Sequence, residues 1–318
     1  MISNVMMTLI EKLAADGRIS DTEALDVRRA IFPDGAVSRQ EAEALFHLNE
    51  RVKGDDPAWD ACFVEAICDH LMLADEPQGH VTEEGFYWLE TRIGRDGVVE
   101  GPTELELVLK LMEKAESCPT RLHEFARKSA SHAIRQNGGT IGEFDLVMIR
   151  RVLFAAAGAG NIAITREEAE WLFEIDEATA GNAHVSGWRD LFVSAVMNHL
   201  FAAGPSSLLD RDSMLRRANW LNSSPAGGTG AFLSRLIGRL SDGGVEGYAS
   251  RAKYDAAQQQ HAYLDQRAVE AHVAEALDTG EAAWLVARMR RDGRRTTNEQ
   301  ALVDAVKAAK GEGSLKSA

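Results

Sequence analysis

The side chains best suited to chemistry in this chain gather at its Asp-Gly junctions. Asp16-Gly17-Arg18-Ile19-Ser20-Asp21-Thr22-Glu23 sets Asp, Gly, Ile and Glu in the order found in the second half of a calcium-binding helix-loop-helix loop. A hard cation takes about six to eight oxygen ligands, so the first half of such a loop must also supply them. Here those places hold Lys12 and Ala14, and at the Asp292-Gly293 junction they hold Arg288 and Arg290. Neither loop is therefore a self-sufficient calcium site. A divalent cation shared between junctions stays open, with Asp16 and Asp96 each supplying oxygen. Glu23 and Glu299 have a competing structural use, because a Glu three places after a helix-capping hydroxyl accepts from the cap's own N–H.

Other candidates have a plainer reading beside the chemical one. His70 and His199 follow Asp69 and Asn198 on helical stretches with defined apolar faces, where a histidine making one hydrogen bond competes with a metal ligand or general base. Asp75, Glu76, His80, Glu83 and Glu84 form a weak cation-site pattern. Cys62 and Cys68 align with Leu191 and Met197 elsewhere in the chain, which reads as core filling rather than redox chemistry. The glycines of Gly227-Gly228-Thr229-Gly230 lack the following Lys-Ser/Thr and preceding strand that a phosphate loop requires. Arg288, Arg290, Arg291, Arg294 and Arg295 form a basic cluster of the sort that commonly lies on a solvated helix end.

The elements that must position these residues are helices. Apolar residues return at three- and four-residue spacing in Phe63, Ile67, Leu71 and in Leu105, Val108, Leu109, Met112. Capping-box spacing predicts helix starts at Ser20/Glu23, Ser38/Glu41, Thr103/Glu106, Thr165/Glu168 and Thr296/Glu299. Asp56-Pro57 predicts another, with Asp as cap and Pro at the first helical position, and Ser186 is the expected cap before Trp188. Asp16-Gly17, Asp96-Gly97, Gly138-Gly139 and Asp292-Gly293 mark helix-turn-helix junctions.

The helical pattern repeats within the chain. Arg28-Arg29-Ala30-Ile31-Phe32 returns as Arg150-Arg151-Val152-Leu153-Phe154, and Val37 to Phe46 returns as Ile164 to Phe173. Trp59, Phe63, His70 and Leu71 match Trp188, Phe192, His199 and Leu200, and Trp88-Leu89 matches Trp220-Leu221. A shorter echo pairs Leu9, Asp16-Gly17, Ser20 and Glu23 with Leu285, Asp292-Gly293, Thr296 and Glu299. The expected architecture is all-α: two pseudo-symmetric helical lobes with a C-terminal half-repeat. Lobe 1 spans 1–118, lobe 2 with the half-repeat spans 119–310, and 311–318 forms a flexible tail. Ser223 to Gly230 reads as the clearest loop and places a boundary there.

Composition narrows the function classes. A 45% hydrophobic and 26% charged composition suits a folded protein. The net charge of -14 disfavours duplex nucleic acid and anionic lipid as main partners. Three cysteines with no CxxC pair suit a reducing compartment. Absence of a basic leader and of a long apolar run predicts a cytoplasmic protein with no membrane insertion.

The junctions carry a family resemblance. Ala14-Ala15-Asp16-Gly17 with Glu23, Arg95-Asp96-Gly97 with Glu104 or Glu106, and Arg291-Asp292-Gly293 with Glu299 resemble the tellurite-resistance TerB-like family. The likeness covers residues 1 to about 115 directly and continues to 222 through the internal repeat, where Gly138-Gly139 replaces Asp-Gly. The resemblance implies a helical fold, a cytoplasmic setting, stress-response complexes, and divalent-cation binding at Asp16, Glu23, Asp96, Asp292 and Glu299. Arg95, Arg290, Arg291 and Arg294 work against a cation at the later junctions. No catalytic residues and no cofactor beyond a divalent cation are assigned. The leading expectation is a non-enzymatic TerB-like interaction or scaffold protein with protein partners. The alternatives are a metal-binding module with carboxylates shared between junctions, and a metal-dependent enzyme with a site between the lobes that uses His70 or His199.

Overall fold

The structure is a computed structural model that describes residues 13, 17–31, 37–52, 56–73, 77–94, 96–99, 101–155, 164–202, 284–285, 287–289, 291 and 296–316. Among these residues the regular structure is helical and no strand occurs. In chain order the helices are α1 (Asp21–Ile31), α2 (Arg39–Arg51), α3 (Pro57–Leu73), α4 (Glu83–Ile93) and α5 (Pro102–Lys114). They continue as α6 (Thr120–Gln136), α7 (Glu143–Ala155), α8 (Arg166–Ala178), α9 (Ser186–Ala202) and α10 (Thr297–Lys316). Trp284, Leu285, Ala287, Arg288 and Met289 are also helical. No described helix is long and apolar enough to cross a membrane.

Helix starts follow the capping chemistry closely. Ser38 and Thr165 each accept from the N–H three residues on, while Glu41 and Glu168 accept from the cap N–H, completing reciprocal boxes. Ser20 with Glu23 and Thr296 with Glu299 make the same exchange. Asp56 caps α3 by accepting from Ala58 and Trp59 N–H at 2.8 and 3.0 Å. The box expected at Thr103/Glu106 does not form. Gly101 is the cap of α5 and Pro102 takes the first helical place, so Thr103 lies inside the first turn and donates its hydroxyl to Asp60. Ser186 is the first residue of α9 rather than its cap. α10 runs through Gly311 to Ser314, and the two glycines in it each cost about 1 kcal/mol relative to alanine.

The chain divides into two compact units, the first reaching Ala133 and the second starting at Ile134, within α6. In the first unit α3 is the central helix, packed against α1, α2 and α5. Its apolar residues fill the core, with Trp59, Phe63, Ala66 and Ile67 all buried. In the second unit α9 packs against α7, α8 and α10, and buries Trp188, Phe192 and Val196. Both central helices are apolar around most of their circumference, which is what a helix with neighbours on several sides requires.

Candidate functional site

Three of the five carboxylates expected to hold a cation, Glu23, Glu299 and Asp96, lie among the described residues. Glu23 Oε2 accepts from the Ser20 N–H at 3.0 Å and its hydroxyl at 2.7 Å. Glu299 Oε2 accepts from the Thr296 N–H at 2.9 Å, and its side chain is buried. Asp96 is exposed in the left-handed region at φ 52°, beside Gly97 at φ 79°, as the turn between α4 and α5 demands. Asp16 and Asp292 lie outside the described residues. Among the described residues no group of three or more His, Cys, Asp or Glu side chains is placed to hold a metal ion.

The two histidines have structural partners. His70 Nδ1 lies 2.8 Å from the Val37 carbonyl, and His199 Nδ1 lies 2.9 Å from the Ile164 carbonyl. A carbonyl can only accept, so each Nδ1 carries the proton. Burial, with Arg166 adding to it, holds the pKa of His199 below the ordinary histidine value against the pull of the Ile164 carbonyl. The thiols of Cys62 and Cys118 are pushed up to about 11 by burial, and that of Cys68 higher still, so all three stay protonated. His80 bonds Ser117 Oγ through Nδ1 at 2.7 Å and pairs with Glu116, while Asp75 and Glu76 lie outside the described residues.

Among the described residues, one polar and aromatic contact set stands out in each unit. In the first, the Trp88 indole N–H donates to Glu43 Oε1 at 2.8 Å, and Arg92 pairs with Glu43 Oε2 at 2.5 Å. The Trp88 ring meets the edges of Phe46 at 5.6 Å and His70 at 5.2 Å, and Phe46 meets Phe63 at 5.2 Å. In the second, Trp284 donates to Glu170 Oε1 at 2.5 Å and Arg288 pairs with Glu170 Oε2 at 2.8 Å. The Trp284 ring meets Phe173 at 6.0 Å and His199 at 4.9 Å, and Phe173 meets Phe192 at 5.1 Å. Arg39 covers the Trp88 ring at 4.3 Å and Arg166 covers that of Trp284 at 5.6 Å. Beside Trp88 a shallow cavity of about 610 Å³ opens, lined among others by Arg39, Tyr87 and Arg121.

Trp284 therefore takes the contacts that correspond to those of Trp88. Trp220, the match expected from its Trp-Leu pair, lies outside the described residues. A longer pattern in the sequence carries the distinction. Trp88-Leu89, Arg92, Ile93 and Arg95-Asp96-Gly97 have the spacing of Trp284-Leu285, Arg288, Met289 and Arg291-Asp292-Gly293, whereas Trp220-Leu221 is followed by Asn222, Ser223 and Ser224. The arginine is the signal, because it closes the ion pair that orients the glutamate toward the indole.

Electrostatics distinguish the two copies. The Arg92 side chain is 38% exposed and the Arg288 side chain 2%; Arg288 also reaches Glu177 and lies over Phe173 at 4.9 Å. Burial works against the guanidinium charge of Arg288, and Glu177 and Glu170 more than offset it, so its pKa is raised. Burial pushes Glu43 up, and Trp88, Arg92 and Arg39 pull it further down, below the ordinary carboxylate value. Deeper in each unit an amide and a carboxylate exchange places. Asn49 accepts from the Trp59 indole at 3.0 Å and donates to Glu104 at 3.1 Å. Asp176 accepts from the Trp188 indole at 3.0 Å, from Asn298 at 2.6 Å and from the Thr296 hydroxyl. These residues carried no individual motif, though Asn49 and Asp176 fall in register once the flanking repeats are aligned.

No family model, curated protein or solved structure matches the chain.

Proposed function

We propose that the protein is a non-enzymatic interaction or scaffold protein of TerB-like type, which serves protein partners in a cytoplasmic stress response through two related helical lobes. The observation that carries this reading is the use of the polar side chains. Glu43 and Glu170 join helical segments, His70 and His199 tie the central helices to the chain entering α2 and α8, and Glu23 and Glu299 accept from the caps of their own helices. A rigid helical frame built this way can present its outer faces for recognition.

The test is affinity purification of the tagged full chain from its native cells, followed by cross-linking mass spectrometry on the isolated complex. The reading predicts a stoichiometric protein partner with cross-links to surface positions of the helices. Absence of any stoichiometric partner, with saturable heat from a divalent cation in calorimetry, would overturn it in favour of the metal-binding module.

A further inference from the structure

The outer face of α4 is exposed and carries charges of both signs in a fixed order. Tyr87 stands at its middle, 61% exposed, and among the described residues no hydrogen bond or ring contact holds its side chain. The cavity of about 610 Å³ opens beside it. Glu83 and Glu84, both exposed, lie one turn before Tyr87. Two guanidiniums flank the tyrosine. Arg121 lies over Phe86 at 5.8 Å and pairs with Glu90 at 2.7 Å, and Arg39 lies over Trp88 at 4.3 Å. Their side chains are still 53% and 56% exposed. All of these residues belong to the first unit.

Glu83 and Glu84 balance Arg39 and Arg121 around the cavity, so neither an anionic nor a cationic small ligand matches the whole lining. Position separates the charges. Glu83 is seven residues before Glu90 and shares its side of the helix, which is the side of Arg121. Glu84 is four residues before Trp88 and shares the side of Arg39. The carboxylates precede Tyr87, while the guanidiniums sit against residues 86 to 90.

Such a face complements itself. When two copies of α4 meet antiparallel about a two-fold axis at Tyr87, position 83 of one comes level with position 91 of the other, and position 84 with position 90. That rotation keeps the sides, so Glu83 of the second copy arrives beside Arg121 and Glu84 of the second copy beside Arg39. Symmetry repeats each pairing. A guanidinium has donors for two carboxylates, as Arg288 shows with Glu170 and Glu177 in the second unit.

We propose that this face is a dimer interface, in which a second copy of the chain lays its α4 antiparallel on the first and each Tyr87 ring enters the cavity beside the other copy's Trp88. An aromatic anchor seated in a pocket and ringed by arginine pairs is the anatomy that concentrates binding energy at an interface. The inference concerns the chain's own assembly and does not depend on the interaction reading above.

Sedimentation velocity of the full chain tests it. The wild-type chain should show a monomer–dimer equilibrium that shifts toward monomer as sodium chloride rises. Tyr87→Ala should raise the dimer dissociation constant at least about tenfold while helical circular dichroism stays unchanged, since the residue is exposed. E83K/E84K and R39E/R121E should each abolish self-association, because like charges then face each other. An equimolar mixture of the two should form a heterodimer, because every contact again joins opposite charges. If R39E/R121E fails to fold, R121E replaces it, and its mixture with E83K/E84K should associate more tightly than either variant alone. A wild-type chain that stays monomeric up to about 0.1 mM would overturn the proposal. So would a dimer unmoved by Tyr87→Ala and by the charge reversals, or folded charge variants that do not associate when mixed.

Discussion

The two units meet the same packing problem with different polar residues, and the difference separates what the contacts require from what they tolerate. Each places an indole against a glutamate, a phenylalanine edge and a histidine edge. Beneath it, the first unit sets the amide of Asn49 against the carboxylate of Glu104, and the second sets the carboxylate of Asp176 against the amide of Asn298. Which helix carries the charge is free, but one side must donate and the other accept, since a buried polar group left unmatched costs about 1–3 kcal/mol. Arg92 and Arg288 differ in another way: the first lies at the surface with one carboxylate, and the second is buried with two.

Equal deletions at the two centres test whether the shared surroundings carry equal weight. Phe63→Ala and Phe192→Ala remove rings that are fully buried, and each should cost about 3–5 kcal/mol in urea unfolding. A loss at one site below half that at the other would break the comparison. Arg288→Gln should destabilise by about 2 kcal/mol, reduced from the full cost of a broken buried pair because Glu170 and Glu177 keep some solvent, and Arg92→Gln by less than about 1 kcal/mol. Equal effects would mean that the difference in burial does not govern these pairs.

The exchanged amide and carboxylate predict compensation. Asn49→Asp brings a second carboxylate against Glu104, whose pKa burial already raises despite the Asn49 bond. It should cost about 1–3 kcal/mol, and the added change Glu104→Gln should restore most of it. Additive losses in that cycle would show that the two residues do not interact.

The smallest expected effect concerns pH. Burial, reinforced by Arg166, holds the folded-state pKa of His199 down, so the unfolded chain takes up that proton first as pH falls. The histidine's contribution is therefore complete above about pH 6.5 and is lost as pH drops toward the folded value. His123, lowered by burial and Arg127, adds in the same direction. His199→Gln should leave a shallower decline in the unfolding midpoint between pH 7 and 5.5, and an unchanged slope would count against the assignment.

Much of this was legible in the residues. The apolar spacing and the boxes at Ser38 and Thr165 identify the helices, and Phe63 and Phe192 are both fully buried. Local hydrogen bonds and periodic burial depend on neighbours in sequence, which a single chain displays directly. Thr103 misleads because its hydroxyl and Glu106 fit the box spacing, yet Pro102 moves the helix start upstream. Trp284 is harder to find, because its partner Glu170 lies far away in the chain and only the longer Trp-Leu-x-x-Arg spacing shared with Trp88 marks it; Trp220, the expected match, lies outside the described residues. Glu23 and Glu299 match a cation-binding spacing that is also a capping spacing, and their carboxylates face their own caps. Only the fold reveals which of two uses a side chain serves.

The central claim is that Trp284 occupies in the second unit the place that Trp88 occupies in the first, and indole ¹⁵N–¹H correlation spectra test it most directly. Each of the six tryptophans gives one indole resonance, assigned by single Trp→Phe variants. Glu43→Gln should shift the Trp88 resonance most, and Glu170→Gln should shift that of Trp284 most. A Glu170→Gln spectrum in which Trp220 moves and Trp284 stays fixed would contradict the account.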